Sequence, residues 1–114
     1  EQNIDDFARL NRYHVGLLPY FLEKLQSLEE GNATLLDKAM IIYGSPMGDP
    51  NVHNHKRCPL FVVGGANGQL VGNLHLRASA GTPMANVMLD MLHRLGLEDV
   101  EQFGNSNGVF SMAG

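Results

Sequence analysis

Cysteine is almost absent from the 114-residue sequence. Cys58 stands alone, which excludes an internal disulfide and leaves the redox compartment open. No apolar run approaches the ~20 residues that a membrane-spanning helix needs. Basic residues are also few, with 8 Lys and Arg against 12 Asp and Glu, so the net charge is −4. A protein that must neutralise nucleic-acid phosphates has the opposite balance. We therefore expect no nucleic-acid partner and no membrane span.

The remaining composition is that of a packed chain, with 44% hydrophobic and 18% charged residues. The 13 glycines predict tight loops around a buried sheet. The first residues, Glu-Gln-Asn-Ile-Asp-Asp, do not match a secretory signal and include no initiator Met. These features favour a processed product or an excised piece of a longer protein.

The first third of the chain has the apolar spacing of a helix. Its apolar residues recur at three- and four-residue intervals: Ile4, Phe7, Leu18, Phe21, Leu25 and Leu28. The same face carries Asn11 and His14. Pro19 predicts a kink or break, because proline cannot donate the helical hydrogen bond, and Gly31 is the predicted C-cap.

Two short runs, at 39–43 and 60–63, are apolar on both faces, which is typical of buried parallel strands. Alternation at 74–78 predicts a half-exposed third strand. A last helix is predicted from the N-cap Thr82 to a stop at Gly96. The expected fold class is α/β, with a partial, mostly parallel sheet flanked by helices. Because two helices cover such a sheet poorly, residues 1–114 are expected to be a single domain that completes its core by oligomerising, or the C-terminal fragment of a larger α/β domain.

The loop that follows the first strand is the main candidate site. Asp49, His53 and His55 lie within it, and ligands gather beyond the carboxyl ends of strands in open α/β sheets. A carboxylate with two imidazoles suits zinc, manganese or iron. In an extended segment, the two imidazoles of His-Asn-His face the same side. The alternative is a polar surface loop whose histidines are solvated.

His14 and Ser45 are weaker catalytic candidates. His14 is either a core histidine bonded to a carbonyl or a metal ligand or acid–base group facing the same site. Ser45 follows a strand, but the sequence around it is not G-x-S-x-G, and Pro46 blocks the usual strand-to-helix elbow.

Several segments together resemble the C-terminal part of an uncharacterised bacterial family named for an HXXSHH signature. They lie between residues 34 and 108 and run in this order: Thr34–Asp37, Ile41–Ser45, Met47–Asp49, His53–His55, Pro59–Gly65, Thr82–Asn86, Met88–Leu89, Met91–Leu92, Leu95–Gly96 and Phe103–Gly108. The family is grouped with the alkaline phosphatase and sulfatase superfamily. In the expected tail pattern, Phe-Gly-Asp-Ser-Thr-Gly, the Asp and Thr are replaced here by Asn105 and Asn107.

The resemblance implies a slice of an alkaline-phosphatase-like sandwich and a metal site at Asp49, His53 and His55. The family signature itself is missing, and the superfamily's nucleophile and first metal ligands would come from a preceding segment. Two metals, or a nucleophile with a metal, serve in-line displacement. This chain alone is therefore expected to be inactive. The resemblance also suggests an exported, periplasmic location.

Two functions follow as hypotheses. In the first, the chain is the C-terminal portion of a metal-dependent phosphate- or sulfate-ester hydrolase, and its partner is the N-terminal remainder of that protein. In the second, it is a non-catalytic structural, assembly or binding domain of an exported bacterial protein, and self-association completes its core. The sequence alone leaves open whether the protein is an enzyme.

Overall fold

Residues 2–113 are described by a computed structural model, in which the chain divides into two units, Glu1–Asp37 and Lys38–Gly114. None of the helices in this described part has the length and apolarity needed to cross a bilayer. Each unit has its own short antiparallel sheet. The candidate metal loop belongs to the second unit.

The first unit is built from two helices and a small hairpin. Helix α1 spans Gln2–Gly16 and α2 spans Leu18–Gln26, so the break predicted near Pro19 is confirmed. The predicted end at Gly31 is wrong. The helical pattern stops earlier because strand β1 (Glu29–Glu30) turns back at Gly31 and pairs with β2 (Ala33–Thr34). The short helix α3, Leu35–Lys38, follows.

A reciprocal cap starts α3. The Thr34 amide and hydroxyl both donate to Asp37 Oδ2 at 2.8 Å, while the Asp37 amide donates to Thr34 Oγ1 at 3.2 Å. This is a capping box, in which two side chains satisfy the free amides of the first turn. The Thr34 amide and then its hydroxyl hold the pKa of the Asp37 carboxyl below its ordinary value of 3.8.

We expect the Asp37 carboxyl to titrate below pH 3.8 in a carbon-detected NMR titration. Because its folded-state pKa is lowered, its contribution is fully present above its unfolded pKa and is lost as the pH falls through the lowered value. Thr34→Val removes the hydroxyl donor and keeps the shape of the side chain. It should therefore raise the Asp37 pKa part of the way to its ordinary value. Titration of the wild-type carboxyl at or above 3.8 would contradict the cap.

The second unit contains an antiparallel hairpin and one long helix. Strand β3 (Ile41–Gly44) pairs with β4 (Leu60–Val63), with Ile41 opposite Val63 and Gly44 opposite Leu60. The rings of Tyr43 and Phe61, which are also cross-strand partners, lie 5.2 Å apart. Helix α4 spans Ala85–Arg94.

The predicted fold class, a partial and mostly parallel sheet flanked by helices, is wrong. Both sheets in residues 2–113 have two strands and are antiparallel. The two apolar runs do form strands, but a parallel pair needs a crossover of about a dozen residues, usually a helix. Residues 45–59 contain only a single 3₁₀ turn at Pro50–Val52, so the chain returns directly as a hairpin. This also removes the basis for an alkaline-phosphatase-like sandwich slice.

A predicted strand and the predicted start of the last helix differ from the structure. Residues 74–78 form no strand, and Leu74 and Leu76 are exposed. Their alternation finds no partner, because β3 and β4 pair only with each other within residues 2–113. Helix α4 begins at Ala85 rather than just after Thr82, whereas the stop at Gly96, whose φ is +87°, agrees with the prediction.

The core of the second unit is centred on α4 and the C-terminal tail. Leu89 is 1% exposed. Around it, buried Asn86 holds the tail through its side-chain amide, which donates to Asn107 Oδ1 at 3.0 Å and accepts from the Asn107 amide at 3.1 Å. The Phe110 amide donates to the Asn86 carbonyl, and the Met112 amide donates to Asp90 Oδ2. Asn107 is thus one of the residues that fix the tail to α4.

Candidate functional site

The loop at 45–59 is closed by its own backbone. The Ser45 amide donates to the Pro59 carbonyl at 3.1 Å at the base of the hairpin. Further out, Asp49 and Asn54 form an antiparallel bridge, with the Asn54 amide 2.8 Å from the Asp49 carbonyl. The Gly48 amide also donates to the Asn54 carbonyl, at 2.8 Å. The loop is therefore a folded substructure within the hairpin.

Gly48 allows the two sides of this loop to approach each other. A Cβ built on Gly48 would overlap the carbonyl oxygen of Lys56 and would lie 3.0 Å from that of Arg57. Both obstacles are backbone atoms, which cannot rotate away as a side chain could. Gly48 was not among the predicted site residues. The only indication in the sequence is a glycine inside a polar loop. Such a glycine often marks a close approach of two backbone segments, but it does not identify the second segment.

We expect Gly48→Ala to lower the free energy of unfolding of the second unit by about 1–3 kcal/mol, the usual cost of overpacking. Chemical denaturation measures this change. Gly72→Ala is the matched control, because no atom lies within 4 Å of its Cβ position, and its effect should stay within about 0.5 kcal/mol. Equal effects of the two substitutions would contradict the close approach.

Asp49 and His53 flank the 3₁₀ turn of the loop as its N-cap and C-cap. The Asp49 side chain caps the 3₁₀ turn and accepts from the Asn51 amide at 3.0 Å. His53 is exposed and has left-handed backbone angles, φ 51° and ψ 41°. The metal prediction assumed an extended segment in which His53 and His55 face the same side, and that conformation is not found at His53.

His55 is positioned differently, because its ring is fixed by the backbone. Its Nδ1 lies 2.9 Å from the Pro46 carbonyl oxygen. The half-buried Cys58 thiol shares this acceptor, donating to Pro46 O at 3.1 Å and to the His55 carbonyl at 3.4 Å. The Cys58 thiol and the His55 ring therefore meet at the same backbone oxygen.

The His55 contact assigns the tautomer of the ring. A carbonyl oxygen only accepts hydrogen bonds, so Nδ1 must carry the proton in this contact. The lone pair of the neutral ring is then on Nε2. Metal-binding histidines in proteins almost always donate their second ring N–H in this way, to a carbonyl, carboxylate or water.

The two weaker candidates, Ser45 and His14, lie in different units. Ser45 Oγ accepts from the Met47 amide at 3.1 Å and lines an apolar cavity of about 300 Å³. Six other residues complete its lining: Ile42, Gly44, Pro46, Leu60, Met84 and Met88. No histidine or carboxylate is among them, so no general base faces Ser45 there. His14 belongs to the first unit, where it is exposed on α1 beside the Tyr13 ring.

The metal predicted from the family fits this loop only in part. Within residues 2–113, no three His, Cys, Asp or Glu side chains are grouped so that they could hold a metal ion. The Nδ1 atom of His55 is bonded to a carbonyl, Asp49 caps a turn, and the backbone at His53 is not extended. The described residues therefore hold no complete donor set of three, and the metal itself stays a prediction.

Comparison with known proteins returned no match to a family model, a curated protein or a solved structure.

Proposed function

We propose that this chain is the C-terminal part of a metal-dependent phosphate- or sulfate-ester hydrolase, to which its 45–59 loop contributes one metal ligand, Nε2 of His55. The observation that carries this proposal is the 2.9 Å contact between His55 Nδ1 and the Pro46 carbonyl. The contact leaves the lone pair on Nε2, where it can bind a metal, and it restrains the plane of the ring. The resemblance described above supplies the substrate class.

The remaining ligands and the nucleophile come from outside the described residues. A metal bound there would be zinc, manganese or iron, and it would polarise an ester oxygen. The N-terminal remainder of the parent protein or a second copy of this chain would complete the donor set. The chain alone is accordingly expected to bind metal weakly and to leave aryl phosphates and aryl sulfates unhydrolysed.

Zinc titration of the purified chain, followed by calorimetry, tests this proposal. We expect His55→Ala to weaken zinc binding at least about tenfold, because even the loss of a group that only orients a ligand costs 10- to 100-fold. His75→Ala is the matched control, since His75 is exposed in the irregular segment that follows β4 and should not change the affinity. Equal affinities of the wild type and His55→Ala would contradict the proposal, as would a wild-type chain that binds no zinc.

The alternative is a non-catalytic assembly or binding domain. It is favoured by the apolar side chains of α1 and α2, none of which is buried in the described part of the first unit. Ile4 is 59% exposed, Phe7 46% and Phe21 45%, and large apolar surfaces of this kind mark interaction sites. A chain that binds no zinc but sediments as a tight oligomer would favour this function over the first.

A further inference from the structure

Two Asn-Gly dipeptides are present, Asn67–Gly68 and Asn107–Gly108, and all four residues are exposed. Asn-Gly is the sequence in which an asparagine side chain is most readily attacked by the next backbone nitrogen, because glycine has no side chain to hinder the approach. Both dipeptides are open to water, so the hydrogen bonds around each of them can make their reactivities differ.

The hydrogen bonds around Asn107–Gly108 favour this reaction. Asn107 Oδ1 accepts a hydrogen bond from the Asn86 side-chain amide at 3.0 Å. A donor on this oxygen draws electrons from Cγ and stabilises the negative charge that an attack would place on the oxygen. Among the described residues, the Gly108 amide donates to no acceptor, so its nitrogen is unrestrained.

Asn67–Gly68 has the opposite arrangement. The Gly68 amide donates to the Gly65 carbonyl at 2.8 Å, so the attacking nitrogen would have to give up a good hydrogen bond. No donor to the Asn67 side chain is present within residues 2–113. The chain therefore contains a matched internal reference for the same chemistry.

We propose that Asn107–Gly108 is a site of spontaneous covalent modification, at which Asn107 converts to aspartate and isoaspartate while Asn67 is protected. The Gly108 nitrogen forms a bond to Asn107 Cγ, and the bond from Cγ to the side-chain nitrogen breaks. The proton of the Gly108 amide leaves with that nitrogen as ammonia. Water then opens the cyclic imide at either carbonyl, which gives the two products without any oxidant or reductant.

The modification acts on the attachment of the tail to α4. Asn107 and Phe110 both bind Asn86, through the Asn107 amide and side chain and through the Phe110 amide. Isoaspartate adds one methylene to the backbone at position 107, so the spacing between these two contacts no longer fits. We expect residues 108–112 to lose protection from hydrogen exchange as isoaspartate accumulates.

The experiment incubates the whole chain in mildly alkaline buffer, folded and in urea, and follows both sites by mass spectrometry after trypsin digestion. Cleavage at Arg57, Arg77 and Arg94 places the two asparagines in separate peptides. In the folded chain, Asn107 should convert about fivefold faster than Asn67, within the two- to tenfold range that a hydrogen bond is worth. In urea, the two rates should become equal within about twofold.

Asn86→Asp tests the role of the donor, because it keeps the acceptor oxygen and removes the N–H groups. It should slow conversion at Asn107 about threefold and leave Asn67 unchanged. The wild-type comparison of folded and unfolded chains needs no variant, so a misfolded Asn86→Asp would not decide the matter. Folded wild type in which Asn107 reacts no faster than Asn67 would overturn the proposal, and so would faster conversion at Asn107 in a folded Asn86→Asp variant.

Discussion

Asp90→Ala is expected to lower the free energy of unfolding of the second unit by about 3 kcal/mol, the lower end of the cost of breaking a buried ion pair. Asp90 Oδ2 lies 2.7 Å from Arg94 Nε, and the side chains of Arg94 and Asp90 are only 14% and 10% exposed. The same oxygen accepts from the Met112 amide at 3.0 Å. Removing this carboxylate leaves the Arg94 guanidinium without its ion-pair partner and the Met112 amide without its acceptor. Denaturant unfolding measures the change.

An exposed ion pair serves as the control for Asp90. Asp6 and Arg9 lie 3.8 Å apart with side chains 59% and 83% exposed, so Asp6→Ala should cost less than about 0.5 kcal/mol. The double variant Asp90→Ala/Arg94→Met should recover a large part of the loss, because it also removes the unpaired charge. A double variant no more stable than Asp90→Ala would show that the unpaired charge is not the cause.

Leu89→Ala is expected to cost about 3 kcal/mol, within the range for emptying a filled apolar site. Leu89 is 1% exposed and is the one fully buried large side chain among residues 2–113. A core this small has few other contacts to compensate for a cavity. Leu95→Ala, at the C-cap of the same helix, is the control. Leu95 is 62% exposed, so its truncation should cost less than about 1 kcal/mol. Similar losses of unfolding free energy for both variants would show that Leu89 is not at the centre of the core.

Local structure could be predicted where a single residue or a short run of residues determines it. The break near Pro19 follows from a missing amide proton, and the stop at Gly96 follows from a glycine that tolerates a positive φ. The short strands Ile41–Gly44 and Leu60–Val63 follow from apolar runs at 39–43 and 60–63. In each case, the deciding interaction lies within a few residues of the element.

The pairing of those strands could not be predicted in the same way. Residues that are apolar on both faces require cover, but they do not say whether the neighbouring strand is parallel. The connection decides this, and residues 45–59, without a crossover helix, favour a hairpin. The sequence of 45–59 shows no helical pattern, but the apolar pattern of the strands and the resemblance both favour a parallel sheet.

The site shows the same limit at the level of side chains. The spacing of His53 and His55 is compatible with convergence only in extended backbone, and the left-handed conformation of His53 depends on the whole folded loop. The contact between His55 and Pro46 spans nine positions, and no local pattern indicates it. Residue types could therefore indicate the loop, but not which of its two histidine rings contacts the backbone.

The tautomer of His55 is the most direct test of the proposed role of the loop. Nitrogen-15 NMR of the histidine rings, in the metal-free chain at a pH where the ring is neutral, reports which nitrogen carries the proton. We expect the proton of His55 on Nδ1 and the lone pair on Nε2, whereas the exposed ring of His75 should show the mixture of a free histidine. A neutral His55 ring protonated on Nε2, or one indistinguishable from His75, would contradict the account.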